Sequence, residues 1–310
     1  MLLRVLVTGG AGFIGSHVVE RFVDKGDEVL VVDDLSTGSR DNLEDGVDLV
    51  EIDIVNPSLD RVVNKFRPNV VCHMAAQSAV SASATEPEAD ARTNIMGGLN
   101  LLKCVVGAGV SQFIYITTGG ALYGEPDYIP SDEDHPIRPN SPYGISKWTF
   151  EQYLKIGNLS GVCPKVLRLS NVYGPRQDPF GEAGVVSIFA SRMLKDKSVT
   201  IFGDGEQLRD FVYVKDVVDA NEKAVATVNP VTVNVSSGVG ISINELFSNL
   251  ALKTGYKKPP IYETRRSGDL ERSVLSNHRA NSLFGWTPNT SFETGLSKTV
   301  EWLQTNVQGD

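Results

Sequence analysis

The stretch T-G-G-A-G-F-I-G, residues 8–15, stands between an apolar run, 2–8, and an amphipathic segment, 16–25. The run predicts a strand and the segment a helix. Gly9, Gly12 and Gly15 recur at three-residue spacing between them. Glycines so placed allow a tight turn and a close approach of backbone to a pyrophosphate, which the helix N-terminus attracts. The sequence therefore predicts a dinucleotide-binding turn.

Asp33 supports this interpretation because it ends the next predicted strand, 28–33, and lies 24 residues after Gly9. A carboxylate there accepts hydrogen bonds from both ribose hydroxyls and repels the additional phosphate of NADP. The sequence therefore predicts NAD. Asp34 and Ser36 are candidates to assist, with a simple loop role as the alternative.

Short apolar runs alternate with helical patterns through the first half of the chain, which is typical of a parallel sheet covered on both faces. Further strands are predicted at 49–53, 70–74, 113–117 and 165–169, and helices at 59–66, 94–108 and 143–155. The second half is mixed, with strands at 198–202 and 232–235 and helices at 185–194, 214–227, 243–254 and 292–303. A segment rich in Gly and Pro, 157–164, should end the preceding helix near residue 156.

The predicted fold class is α/β, with a doubly wound parallel sheet of the Rossmann type and a smaller mixed α/β C-terminal substrate domain. We expect residues 1–170 to bind the cofactor, with about 206–235 returning to that domain. Residues 171–310 are expected to bind the substrate.

Composition excludes several classes of function. The 310 residues include 38 acids against 29 bases, for a net charge of −9, which argues against non-specific nucleic-acid binding. No run approaches the length of a membrane span, and the first segment is too short for a signal peptide. Four histidines without ligand spacing predict no protein-bound metal. Three separated cysteines, Cys72, Cys104 and Cys163, predict buried reduced thiols in the cytoplasm.

The segment H-M-A-A-Q, 73–77, follows a predicted strand directly. Small Ala75 and Ala76 at the carboxyl end of that strand would let the cofactor pass closely, although both residues could instead be small core residues. Asp53 follows another strand and could accept the adenine amine. Asn94 begins a predicted helix and is either a cofactor contact or only a cap.

The segment S-P-Y-G-I-S-K, 141–147, carries the chemistry. Serine followed by proline predicts an N-cap and a first helical position. Tyr143 and Lys147 then lie at i and i+4 on one helix face. The lysine ammonium, together with the charge of oxidised nicotinamide, would favour a phenolate able to take a sugar hydroxyl proton. Thr118, at the end of a strand, is the candidate for a bridging hydroxyl, and Thr117 competes with it.

These motifs resemble the extended short-chain dehydrogenase/reductase family, with the closest similarity to its UDP-glucose 4-epimerases. The resemblance runs from T-G-G-A-G-F-I-G and Y-G-I-S-K through N-V-Y-G-P-R-Q-D-P-F-G-E-A-G-V-V to G-D-G-E-Q-L-R-D-F-V-Y-V and R-S-G-D-L. The last three motifs lie in the half expected to select the substrate. The similarity therefore extends beyond the cofactor fold.

The resemblance implies a fuller set of binding residues. Further NAD contacts would come from Phe13, Ile14, Gly38, Ile54, Met74, Gln77 and Ser170. The UDP-sugar would contact Ser78, Asn171, Val185, Val186, Thr200, Phe202, Arg209, Arg266, Asp269 and Ser273. Two arginines can clamp a diphosphate by charge-assisted forks, and a carboxylate can accept ribose hydroxyls.

By the same resemblance the chain would interconvert UDP-glucose and UDP-galactose through a 4-keto sugar, as a homodimer. Gly119 and Gly120 stand where related dehydratases and decarboxylating enzymes carry acids, which favours simple epimerisation. Small Ser273 leaves room for an N-acetyl group, so N-acetylated UDP-sugars are expected substrates as well. A UDP-glucuronate 4-epimerase, a sugar-nucleotide dehydratase and a non-catalytic NAD-binding sensor remain alternatives.

Overall fold

A computed structural model describes residues 2–156, 161–180, 184–266 and 268–306. Half of the segment 157–164, three residues of the long motif beginning at Asn171 and the serine of R-S-G-D-L lie outside the described residues. The chain forms two compact units. The first comprises Met1–Leu122, Pro139–Arg168 and Val218–Val233. The second comprises Tyr123–Arg138, Leu169–Val217 and Asn234–Asp310.

The strands are numbered in chain order. They are β1 (Arg4–Thr8), β2 (Glu28–Asp33), β3 (Asp48–Glu51), β4 (Val70–His73), β5 (Gln112–Thr118), β6 (Cys163–Leu169), β7 (Asn171–Tyr173), β8 (Thr200–Phe202), β9 (Leu208–Tyr213), β10 (Val231–Val235), β11 (Gly240–Ser242), β12 (Ile261–Glu263) and β13 (Arg272–Ser273).

The α-helices are numbered in the same way. They are α1 (Phe13–Asp24), α2 (Leu59–Phe66), α3 (Val80–Thr85), α4 (Pro87–Ala91), α5 (Gly98–Gly107), α6 (Gly120–Tyr123), α7 (Pro142–Ile156), α8 (Val185–Leu194), α9 (Val214–Ala226), α10 (Ile243–Thr254), α11 (His278–Phe284) and α12 (Phe292–Asn306). A 3₁₀ turn spans Arg40–Asn42, and a π-helical turn spans Arg92–Gly97.

A seven-stranded sheet in the order β10-β6-β5-β4-β1-β2-β3 forms the first unit's framework, and the predicted Rossmann-type α/β class is confirmed. The strands β3, β2, β1, β4 and β5 pair in parallel. The side chains from Val5 to Thr8 are fully buried, as expected for a central strand of a sheet covered on both faces. Because β1 lies between β2 and β4, the residues that follow these three strands meet at one edge of the sheet.

Smaller sheets form the second unit. Strand β9 pairs with β11 antiparallel and with β13 and β7 in parallel, while β8 pairs with β12. The carboxylate of Asp210 is buried on β9, where backbone N–H groups of Ser237, Gly238 and Leu275 donate to it at 2.8, 3.0 and 3.2 Å. These bonds satisfy a charge that would otherwise be costly to bury. The mixed α/β class of the C-terminal half is confirmed.

Several elements differ from the sequence-based prediction. Helix α1 begins at Phe13 rather than residue 16, and the helix predicted at 94–108 is instead a π-helical turn followed by α5. The short helices α3 and α4 were not predicted, because six- and five-residue segments carry little periodicity. Within the described residues, no helix is long and apolar enough to span a bilayer.

Candidate active site

The glycine turn between β1 and α1 has the geometry that its sequence predicts. Gly9 has a φ of +68°, and a Cβ there would lie 2.5 Å from the backbone nitrogen of Ala75. A Cβ on Gly15 would lie 2.0 Å from the carbonyl oxygen of Gly9. Gly12 is the N-cap of α1 and, as a glycine, provides no side-chain cap for that helix. The first N–H groups of α1 receive no side-chain acceptor from the N-cap residue, which fits a site for a ligand phosphate.

Asp33 is held beside this turn. It is 6% exposed, and its two carboxylate oxygens accept the N–H groups of Ala11 and Leu35, each at 2.9 Å. Each oxygen keeps a further lone pair for a ribose hydroxyl. A Cβ on Gly38 would lie 2.9 Å from the carbonyl carbon of Ala11, so this loop also packs closely on the turn.

Three polar side chains of the predicted cofactor set, those of Asp34, Ser36 and Asp53, form hydrogen bonds within their own loops, and Asp53 also pairs with Arg92. The Oδ1 atom of Asp34 accepts both the N–H and the hydroxyl of Ser36, at 3.0 and 2.6 Å. Asp53 accepts the N–H of Val55 at 3.0 Å and lies 3.4 Å from a guanidinium nitrogen of Arg92. These contacts support the loop role for Asp34 and Ser36, and they order the Asp53 carboxylate after β3.

The end of β4 is fixed by hydrogen bonds across the sheet. The hydroxyl of Thr8 lies 2.8 Å from Nδ1 of His73, and the N–H of Met74 donates to the carbonyl of Thr8 at 2.9 Å. Burial lowers the pKa of His73 to about 3, with Lys147 adding to the effect, so this histidine is neutral. Ala75 and Ala76 then follow a rigid strand end, as close passage of a cofactor requires.

The cap interpretation of Asn94 is wrong, because Asn94 lies inside the π-helical turn rather than before a helix. Its amide exchanges two hydrogen bonds with the backbone of Gln77, each 3.0 Å long. The same amide nitrogen contacts Oδ1 of Asp90 at 3.0 Å and Oγ of Ser146 at 3.1 Å. Asn94 therefore connects the segment after β4 to α7.

Helix α7 begins as predicted. Pro142 is its first residue, and the hydroxyl of Ser141 accepts the N–H of Gly144 at 3.1 Å, which confirms the N-cap. A Cβ on Gly144 would lie 2.4 Å from the carbonyl of Ala121, so the helix packs tightly on the chain that follows β5. The N–H of Tyr143 donates to Oγ of Ser83 at 3.1 Å.

Lys147 is 4% exposed, and its Nζ donates to the carbonyl of Ile116 at 2.9 Å and lies 4.5 Å from the ring centroid of Tyr115. Burial lowers the pKa of Lys147 to about 7, against an opposing effect of Asp90. Burial also raises the pKa of Tyr143, and Asp90 adds to that increase. The lysine charge therefore does not by itself produce a phenolate in the ligand-free chain.

We expect the burial of Lys147 to make the unfolding free energy of the ligand-free protein depend on pH. From pH 7 to about 9, the unfolding free energy of the wild type should rise relative to that of Lys147→Met. The unfolded chain binds a proton on Lys147 up to its usual pKa of 10.5, whereas the folded chain releases it above about 7. Stability therefore rises with pH in this window, by at most about 1.4 kcal/mol per pH unit.

Urea unfolding at each pH measures the difference. Lys103→Met, a change at an exposed lysine of α5, is the matched control and should show no such slope. A difference between wild type and Lys147→Met that stays constant from pH 7 to about 9 would contradict the lowered pKa of Lys147.

Thr118 and Thr117 differ in solvent exposure. Thr118 is half-buried, and its hydroxyl accepts the N–H of Ala121 at 3.4 Å, whereas Thr117 is 3% exposed. Thr118 is thus the more accessible hydroxyl at the end of β5. Gly119 and Gly120, which follow it, carry no group that could transfer a proton.

The second unit brings together several residues expected at the nucleotide. Arg209 on β9 pairs with Asp269, and the guanidinium of Arg266 lies 3.9 Å from the ring centroid of Phe202. Ser273 on β13 is paired in register with Arg209 and is 7% exposed. Other members of this set lie on β7, α8 and β8, namely Asn171, Val185, Val186 and Thr200.

The sequence did not predict a role at the site for three residues of the first unit, namely Asp90, Ser146 and Tyr115. Tyr115 stacks against His73 and its hydroxyl donates to the carbonyl of Lys147 at 3.3 Å. The only signal for Asp90 was its position four residues before Asn94, which places two residues on one helical face. The prediction that all three cysteines are buried holds for Cys72 and Cys104 but not for Cys163, which is only partly buried.

The glycine turn, the Asp33 carboxylate after β2, and Tyr143 one helical turn before the buried Lys147 define a dinucleotide-binding α/β enzyme. A model of the NAD-dependent epimerase/dehydratase family matches residues 5–236, and the chain belongs to that family. A curated relative, the UDP-glucose 4-epimerase of Mycolicibacterium smegmatis, is 41% identical over 99% of this chain and 100% of its own length.

Two solved structures resemble the whole chain. The crystal structure of UDP-glucose 4-epimerase with UDP-glucose from Thermotoga maritima has a TM-score of 0.97 and 46% identity, and covers 99% of this chain and 100% of that chain. The Thermus thermophilus UDP-glucose 4-epimerase complex with NAD has a TM-score of 0.93 and 43% identity, and covers 98% of this chain and 100% of that chain.

Proposed function

We propose that this protein is a UDP-glucose 4-epimerase that interconverts UDP-glucose and UDP-galactose at the sugar C4. The observation that carries the proposal is Tyr143 beside the buried Lys147 on α7, in a unit that also contains the glycine turn and Asp33. The family assignment and the full-length similarity to two UDP-glucose 4-epimerase structures support it.

The residues of the first unit fit NAD. Gly9, Gly12 and Gly15 would let the pyrophosphate approach the N-terminus of α1, and Asp33 would accept the ribose hydroxyls. Bound NAD would supply a hydride acceptor that takes the C4 hydride and returns it. NAD emerges unchanged from a complete turnover, so the protein should retain it.

Tyr143 would act as the general base and then as the general acid. Its phenolate oxygen takes the proton of the 4-hydroxyl and returns it when the other epimer forms. Because burial raises the pKa of Tyr143 in the ligand-free chain, the base needs positive charge nearby, from Lys147 and from the loaded cofactor. Thr118 would hold the same sugar oxygen through its hydroxyl.

The second unit would hold the UDP. Arg209 and Arg266 can clamp the diphosphate, and Asp269 can accept the ribose hydroxyls of uridine. A tightly held nucleotide with a loosely held sugar would allow the 4-keto sugar to present its other face. Gly119 and Gly120 after Thr118 argue against a dehydratase, which must also move a proton at C5.

The test is to incubate the purified protein with UDP-glucose, without added NAD, and to resolve the epimers by chromatography. UDP-galactose should appear, and the protein should release NAD when denatured. No interconversion by a protein that contains NAD would overturn the proposal and favour a binding role. Loss of water from the product, seen by mass spectrometry, would favour a dehydratase.

N-acetylated UDP-sugars are the second proposed substrate class, because Ser273 is small and pairs with Arg209 on the neighbouring strand. Ser273→Tyr should lower kcat/KM for UDP-N-acetylglucosamine about tenfold more than for UDP-glucose, since the ring would fill the space of the acetyl group. Ser273→Ala, the matched control, should retain both activities. Equal losses on the two substrates in Ser273→Tyr would refute a role in sugar selection.

We also propose that the protein forms a homodimer, as the resemblance implies, and that it is located in the cytoplasm, as the separated cysteines indicate. Size-exclusion chromatography with light scattering tests the first, and a monomeric active enzyme would overturn it.

A further inference from the structure

Asp90 on α4 is a buried carboxylate without a role in the proposed reaction. It is 1% exposed, and Oδ1 lies 3.0 Å from the amide nitrogen of Asn94. Among the described atoms, Oδ2 meets no donor at hydrogen-bonding geometry, although the hydroxyl of Ser146 stabilises the charged form. Burial raises the pKa of Asp90, and Ser146 and Lys147 oppose the shift. A buried carboxylate this poorly bonded is costly unless positive charge compensates it.

The partner of Asp90 links the segment expected to contact NAD with the helix that carries Tyr143 and Lys147. Its partner Asn94 holds the backbone of Gln77 by two hydrogen bonds, and the same amide contacts Ser146 beside Lys147. Asn94 reaches these groups from the π-helical turn Arg92–Gly97. Turns of this type are rare and often occur at functional sites.

The groups that face Asp90 electrostatically are Lys147 and Tyr143 on α7 and Tyr115 on β5. The Asp90 charge raises the pKa of all three. The packed helix α3, V-S-A-S-A-T, contributes no charged side chain. Arg92, in the adjoining turn, is exposed and directed at Asp53.

We propose that Asp90 is a positioning residue for the proposed epimerase reaction. Through Asn94, its carboxylate fixes the backbone of Gln77 in the segment after β4 and orients that segment against α7, and its negative charge favours the cationic form of Lys147. The proposal rests on the proposed function. It assigns Asp90 no contact with the substrate and makes its charge part of the proton-transfer machinery.

The test is Asp90→Asn, which keeps the shape of the side chain and removes its charge. Without that charge, both Lys147 and Tyr143 lose their protons at lower pH. The pH profile of kcat should therefore move to lower pH on both limbs, by about one unit. Glu88→Gln removes an exposed charge from the same helix and should leave the profile unchanged. Asp90→Glu, which restores the charge, should move it back.

A second measurement separates this proposal from the proposed function. The phenolate absorbance of Tyr143, taken as the difference between a protein and its Tyr143→Phe counterpart, can be titrated in NAD-loaded protein without turnover. Its midpoint should lie about one pH unit lower in D90N than in the wild type. If the wild type does not epimerise UDP-sugars, the proposed function fails, and this titration still decides the role of Asp90.

The same midpoint with and without the charge at position 90, or an equal shift in Glu88→Gln, would overturn the proposal. If Asp90→Asn does not fold, Asp90→Ser carries the same expectation. A chain that folds only with an acid at position 90 would show that the carboxylate serves the fold alone, and would overturn the proposal as well.

Discussion

Tyr143→Phe should lower kcat for UDP-glucose epimerisation about a thousandfold, because a positioned general base contributes roughly 10² to 10⁴ in rate. The phenylalanine keeps the ring but has no oxygen to take the proton of the 4-hydroxyl. NAD content and UDP affinity should stay near those of the wild type, since neither depends on that oxygen. Steady-state kinetics measure kcat, NAD release on denaturation measures the NAD content, and isothermal titration calorimetry with UDP measures the affinity.

Tyr153→Phe is the matched control, because Tyr153 lies on the same helix and is 40% exposed. It should have wild-type kinetics. A Tyr143→Phe protein that retains kcat within tenfold of the wild type would remove Tyr143 from the mechanism.

Gly15→Ala should abolish retention of NAD and destabilise the fold by at least about 2 kcal/mol. The new Cβ would lie 2.0 Å from the carbonyl oxygen of Gly9 and 2.9 Å from Cα of Gly10, and both are backbone atoms that cannot rotate away. The turn must open, so the pyrophosphate loses its close approach to the N-terminus of α1. Urea unfolding and the NAD content of the purified protein measure the effects.

Gly107→Ala gives the contrast, because no atom of the described residues outside the helix's own backbone lies within 4 Å of a Cβ at that position at the end of α5. Its stability and NAD content should equal or slightly exceed those of the wild type. A Gly15→Ala protein that keeps its NAD and its stability would show that the turn does not have this tight geometry.

Local signals in the sequence explain why so much of the first unit was predictable. The spacing of Gly9, Gly12 and Gly15, the carboxylate of Asp33 at a strand end, and the Ser141-Pro142 start of α7 each act over a few residues. Their physical reasons are steric, electrostatic or capping effects that need no tertiary information. The structure agrees with each of these local features.

Features that depend on long-range contacts were not predictable. Arg209 and Asp269 pair across 60 residues of chain, and Asp90 acquires its surroundings only when α4 packs beside α7. The pKa of Tyr143 is the clearest case. Spacing indicated the favourable charge of Lys147, but the larger effect of burial depends on the folded environment.

The central claim is that the sugar C4 is oxidised and reduced within one active site, and a C4 isotope label tests it most directly. The purified protein would be incubated with UDP-glucose deuterated at C4, without added NAD, and the UDP-galactose product analysed by mass spectrometry and NMR. The account predicts that deuterium stays at C4, because the hydride that leaves is the one that returns. Loss of the label to solvent, or no formation of UDP-galactose by protein that contains NAD, would contradict it.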